Sequence, residues 1–279
     1  MNIQTKAGFK KELLAYLRTH KLLTVALVII GLAIFNPLMI TGLGALIDSM
    51  SDVYDDLGMD ISGMTEMLGT ATSTGVTSSV EGITGVGVIV VLLLLNSAAG
   101  GEQKKRSVII PKSAGLQSVA YILPKFIIYP VSVFIFSIIA IFVSWGISAM
   151  LFDINDVTFN GVFISGILSG ICMMLYVCFH LALGTATGKA GMSSAVCITA
   201  SILLPSIFSF ISPDYMYNPF MLNVLAYTAI FTDTFSGSEL TDIAISSAVA
   251  GIIMVITYLI ALFAQNARRV DNSGSDIDL

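Results

Sequence analysis

Charge is what this chain has least of. Its 279 residues include 13 Lys and Arg and 18 Asp and Glu, 11% in all, against 56% hydrophobic residues. Soluble domains are near a quarter charged, so a water-solvated globule is excluded and a polytopic membrane domain fits, as does the mean hydropathy of +0.91. Cysteine is also scarce. Cys172, Cys178 and Cys197 all lie in apolar stretches, where a thiol behaves as a small hydrophobe, so neither a disulfide framework nor a redox motif is expected. Cys172, Cys178 and His180 do not form a metal site by spacing, because residues two, six and eight apart on one helix cannot converge on one ion. No Gly-x-x-x-x-Gly-Lys-Ser/Thr run occurs, so the backbone cradle and Lys that hold nucleotide phosphates are lacking. Residues 1–20 lack a small-residue cleavage site after a short apolar core, so the first span is expected to remain as an anchor.

What is present is a series of apolar runs. A helix needs about 20 mainly apolar residues to cross a bilayer core. Six segments meet that length, at 22–47, 83–99, 126–152, 161–185, 192–211 and 243–264. The expected fold is all-α, a six-span integral membrane protein, and the third and fourth spans are long enough to tilt. Lys and Arg collect in short loops that stay cytoplasmic. Every one of the 13 falls before span one, between spans two and three, between spans four and five, or after span six, while Asp dominates the opposite loops. This predicts a multi-pass protein of the cell (cytoplasmic) membrane with both termini inside. The acidic outer loop, 48–82, lacks calcium-loop spacing and reads as a solvated face. Residues 213–241 carry an apolar patch too short to span, expected to be re-entrant or interfacial, and 268–279 form a cytoplasmic tail.

Two cytoplasmic segments are patterned. In 1–21, Phe9, Leu13, Tyr16 and Leu17 recur at helical spacing while Lys6, Lys10, Lys11 and Arg18 supply positive charge. That pattern predicts a helix lying on the membrane surface, apolar side down, with its bases near anionic headgroups. In the connection 100–125, Gly100 and Gly101 end span two, Glu102, Lys104 and Lys105 follow, and Pro111 and Lys112 precede a short amphipathic helix. Its apolar face holds Leu116, Val119 and Leu123, and Pro124 is expected to stop it before Lys125 and the third span.

The order of surface helix, span, outer loop, span, and then Glu102, basic residues, Pro111 and a helix leading to Lys125 resembles the permeases of type 2 ABC exporters. Lys112, Ser113 and Ala114 stand where that family often carries an Arg after the Pro. The resemblance implies that 102–125 is a coupling helix docking on a separately encoded ATPase. Glu102, Lys104, Lys105, Pro111, Lys112, Leu116 and Lys125 are its candidate contacts, and Phe9, Lys10, Leu13 and Leu17 those of the surface helix with lipid. It also implies a second permease copy or paralogue and no cofactor on this chain, with ATP and Mg on the partner; no nucleic-acid partner is expected. An amphipathic or hydrophobic cargo suits spans that carry no acidic or basic side chain in their central portions.

Two rivals belong beside it. An ion-coupled secondary transporter usually places charged side chains within its spans. A non-transport scaffold or immunity protein would use the acidic outer loop as its recognition surface. A hydrolase built on Ser165 or Ser169 with His180 is disfavoured, because Ser169 and His180 lie about three turns apart on one helix. Gly166-x-x-x-Gly170 and Gly184-x-x-x-Gly188 are small-residue pairs suited to close helix contact, within the chain or at a dimer seam. Pro37, Pro130 and Pro205 fall inside spans and free carbonyls that neighbours must satisfy.

Overall fold

The structure, a computed structural model, describes residues 3–56, 71–101, 115–152, 154–211, 218–232 and 235–267. Among these the protein is all-α and has six helices long and apolar enough to cross a membrane. Chain segments in lipid must satisfy their own backbone groups, which makes the helix the default state of such runs. In order the helices are α1 (Ile3–Arg18), α2 (Lys21–Asp56), α3 (Thr72–Gly101), α4 (Ser118–Leu151), α5 (Phe159–Thr187), α6 (Ala190–Ile211), the short α7 (Leu222–Ile230) after a 3-10 turn at Pro219–Met221, and α8 (Gly237–Ala267), all but α1 and α7 being spans.

The bundle is organised around α5, of whose most apolar window 67% is buried, against 17% in α6 and in α8. Small residues on α5 let its neighbours approach. A β carbon on Gly166 would touch Ile138 Cα at 3.4 Å, and one on Gly170 would lie 2.6 Å from the Phe134 ring and 3.2 Å from the Phe134 carbonyl. Gly184 faces Ala99 at 2.6 to 2.8 Å in the same sense. Gly166 and Gly170 are therefore spent inside the chain on α4, and Gly184 on the end of α3. Gly188 closes α5 instead, at a left-handed φ of 68° with its N–H donated to the Gly184 carbonyl at 2.9 Å.

Span two begins eleven residues earlier than hydropathy predicts, at Thr72 rather than residue 83. The polar run can be buried in a helix because its hydroxyls are satisfied by carbonyls one turn back, Thr77 to Ser73 at 2.8 Å, Ser79 to Gly75 at 3.0 Å and Thr84 to Val80 at 2.7 Å. Its first turn is held by Asp156, which accepts from the Ser73 N–H at 2.9 Å and the Ser73 hydroxyl at 2.6 Å. Beside it the Thr72 N–H donates to the Ile154 carbonyl at 2.8 Å.

Pro124 does not stop a helix; α4 runs unbroken through Pro124 and Pro130. A proline removes the bond to the carbonyl four residues back, and neighbours cover what is freed. Ala33, four before Pro37, accepts from the Ser79 hydroxyl at 3.3 Å. Ala120, four before Pro124, lies under Gly8 of α1, where a β carbon would overlap its carbonyl oxygen and sit 3.2 Å from Pro124 Cγ. The short 219–230 segment packs inward: Gly161 of α5 abuts the carbonyls of Ala229 and Ile230, while the Phe220 ring lies 6.4 Å from Tyr176 and 6.1 Å from Phe179. α7 thus starts beside the middle turns of α5 and runs antiparallel to it, ending at its first turn.

Candidate coupling site at the basic end

The last turn of α3, Ser97–Gly101, is a π turn. Widening the helix by one residue per turn misaligns the regular ladder and turns carbonyls outward, and such turns recur at functional sites. Four other helices engage this stretch. Lys125 of α4 donates to the Ala98 carbonyl at 3.1 Å, and Thr185 of α5 to the Ala99 carbonyl at 3.4 Å. Ser194 of α6 donates to Asn96 Oδ1 at 2.5 Å, and Lys21 of α2 reaches the Ser97 hydroxyl. Gly100 has no room for a side chain: a β carbon would lie 2.8 Å from the Gly184 carbonyl oxygen and 3.1 Å from the Ala190 nitrogen.

Beside this turn, α1 lies across the start of α4. Lys125 is 2% exposed; its ammonium donates to Tyr121 Oη at 3.0 Å and sits 4.3 Å above that ring. One turn further along α4, the Tyr129 hydroxyl donates to Glu12 Oε2 at 3.1 Å, and Lys11 approaches the other carboxylate oxygen at 3.6 Å. Tyr16 stacks edge-on against Tyr129, with centroids 4.8 Å apart, and its hydroxyl lies 3.1 Å from Ser132 Oγ. Burial pushes the Tyr16 phenol above its ordinary range, against a smaller opposing effect of the Ser132 hydrogen bond. The Glu12 carboxyl and the Lys125 amine are thus both buried where α1 meets the spans, each with hydrogen-bond partners, the condition under which such polar groups are tolerated in a protein interior.

Among the sequence-predicted site residues, Glu102, Lys104, Lys105, Pro111 and Lys112 lie outside the described residues. Leu116 is half-buried and packs with Tyr121, Ile122, Ala182 and Ala261, a cluster shared by α4, α5 and α8. Lys125 belongs to the hub just described. Lys10, Leu13 and Leu17 are exposed and Phe9 half-exposed, along the side of α1 turned away from α4. Tyr16 is the exception in that set: it belongs to the opposite face with Thr5 and Glu12, all three buried. Glu12, Asn96, Tyr129, Thr185 and Ser194 escaped the sequence reading. The one signal for them was Glu12 itself, a lone acid among bases and one turn from Tyr16.

These elements define an all-α, multi-pass membrane protein with an N-terminal helix clamped to its third span. Compared with known family models, with curated proteins and with solved structures, the chain shows no match.

Proposed function

We propose that this chain is the membrane-spanning permease of an ATP-driven exporter, set in the cytoplasmic membrane with its basic end and both termini inside. A separately encoded ATPase, carrying ATP and Mg, docks on 102–125, and a second permease completes the translocation path. The observation that carries this reading is the convergence of α2, α4, α5 and α6 on the last turn of α3, the turn from which the 102–125 connection departs. A force delivered to that connection reaches four spans through one turn, and α1 braces the other side through Glu12 and Tyr16. The order of the spans and the resemblance at Glu102, Pro111 and Lys125 support the same assignment, and the chain has no phosphate cradle of its own.

An ion-coupled carrier has less support, because the buried charged side chains among the described residues are Glu12 and Lys125, both at the basic end rather than mid-membrane. The cargo expected for spans with uncharged centres is amphipathic or hydrophobic, a peptide, lipid or drug-like molecule, moved outward. The test is co-expression with the ATPase encoded nearest to this gene, followed by purification through a tag on this chain. A stoichiometric complex is expected, in which Glu102→Ala and Pro111→Gly hydrolyse ATP without moving cargo. Absence of any stable ATPase across detergents and nanodiscs contradicts the assignment.

A further inference from the structure

A second polar feature lies away from the coupling site, inside the span-forming part of α5. Ser165, Ser169, Cys172, Tyr176 and His180 follow one another at intervals of four, three, four and four residues, and so share one helix face. All five are buried, Ser165, Ser169 and His180 completely. From Ser165 to His180 this face covers roughly 22 Å along the axis, most of the ~30 Å depth of a bilayer core. It is closed by α6 and α7: Cys172 contacts the Asn223 backbone, Tyr176 lies against Cys172 and Cys197, and Ser193 links Cys197 to His180.

The side chains on this face have hydrogen-bonding capacity that no protein group meets. Ser165 Oγ, Ser169 Oγ, Tyr176 Oη, His180 Nε2 and Asn223 Oδ1 are buried without a partner, five of the eight such atoms among the described residues. The surroundings of His180 favour one tautomer. Ser193 spends its single hydroxyl proton on the His180 carbonyl at 2.7 Å, so at the 2.8 Å contact between Ser193 Oγ and Nδ1 the imidazole is the donor. Nε2 is then a bare lone pair. With Asn223 Oδ1 and the Tyr176 hydroxyl it makes an uncharged set of two acceptors and one group able to donate. No carboxylate, Lys or Arg contributes to the set, and an uncharged set of mixed acceptors and donors matches a neutral O–H ligand, not an ion. Leaving a buried polar group unpaired is costly, so four on one face of α5, with a fifth on α7, are not explained as packing alone. The turn at 219–221 begins beside this face at the Tyr176 and Phe179 level, and non-regular backbone at such depth belongs where it is covered by protein or lines a hydrated cleft.

We propose that the α5 face from Ser165 to His180, closed by Ser193 and Cys197 of α6 and Asn223 of α7, is a buried hydration site inside one protomer. Its waters donate to His180 Nε2 and Asn223 Oδ1 and accept from Tyr176 Oη, the polar atoms that lack a protein partner. The site is independent of the exporter reading and stands or falls separately from it. It gives the span an uncharged, hydrogen-bonding lining suited to neutral hydroxyl-bearing solutes and hostile to ions.

The experiment uses the full chain in lipid bilayers, with nitrogen-15 histidine and solid-state NMR. His20 and His180 are the only two histidines, and exposed His20 serves as the solvent-contact reference. The expected result is a His180 ring protonated at Nδ1 and bare at Nε2, with a magnetisation-transfer peak from water to His180 that survives soaking with a lipid-phase relaxation agent. Asn223→Leu should cut that water peak at least two-fold while the Nδ1 signal stays. A proton on Nε2, or a His180 without a water peak in a sample where His20 shows one, overturns the proposal.

Discussion

Replacing Gly8 with Ala sets two effects of opposite sign against each other. In an isolated helix the change is favourable by about 1 kcal/mol, because alanine loses less backbone freedom than glycine. In this structure the new β carbon would overlap the Ala120 carbonyl, the one that Pro124 leaves without an intrahelical partner, and sit 3.2 Å from Pro124 Cγ. Relief requires α1 to lift by about 1 Å to reach ordinary contact. A lift of that size stretches the Tyr129–Glu12 and Tyr16–Ser132 contacts, both 3.1 Å, beyond bonding range. Losing the two hydrogen bonds, one of them to a carboxyl group, costs about 2–4 kcal/mol, so docking weakens by about 1–3 kcal/mol net, roughly five- to 150-fold in the undocked fraction. Hydrogen exchange of the α1 amides in nanodiscs reads this directly, with Gly31→Ala as the control because nothing lies within 4 Å of its β position. Faster exchange over 3–18 in Gly8→Ala alone is expected. Slower or unchanged exchange refutes the packing of α1 on the Pro124 turn.

Three more substitutions probe other parts of the structure. His20 joins α1 to α2 at a φ of 55°, a left-handed conformation costly for a side chain, so His20→Gly should stabilise by about 1 kcal/mol in thermal unfolding. Asp156→Ala removes both bonds that hold the first turn of α3, and amide exchange at 73–77 should rise by the equivalent of about 1 kcal/mol while the rest of α3 is unchanged. Gly170→Ala drives a methyl into the Phe134 ring and carbonyl and should lower stability by about 1–3 kcal/mol, whereas Gly251→Ala, with open space, should not.

Hydropathy located all six spans because length and apolarity are what the bilayer selects. It placed the start of α3 late because Thr72 to Ser79 looks polar until its hydroxyls are seen bonded to carbonyls one turn back. Pro124 read as a stop by local rule, yet α4 passes through it, because α1 packs over the freed carbonyl and that contact lies more than a hundred residues away in sequence. The polar hub around Lys125 was half legible. Lys125 stood out by charge, but its acceptor is a carbonyl exposed by a π turn, and no residue type announces that. Tyr16 was placed with the lipid-facing residues because helical spacing alone does not distinguish a face that meets lipid from one that meets another helix.

The central claim is that an ATPase pushes on the 102–125 connection. A photo-crosslinking amino acid placed at Lys112 in the full chain, irradiated in living cells, tests it most directly. The account predicts one dominant adduct, with a protein that carries a phosphate-binding loop, and no such adduct from the same group placed at exposed Ile135 in the third span. Adducts at Lys112 with lipid only, or with proteins that lack such a loop, contradict it.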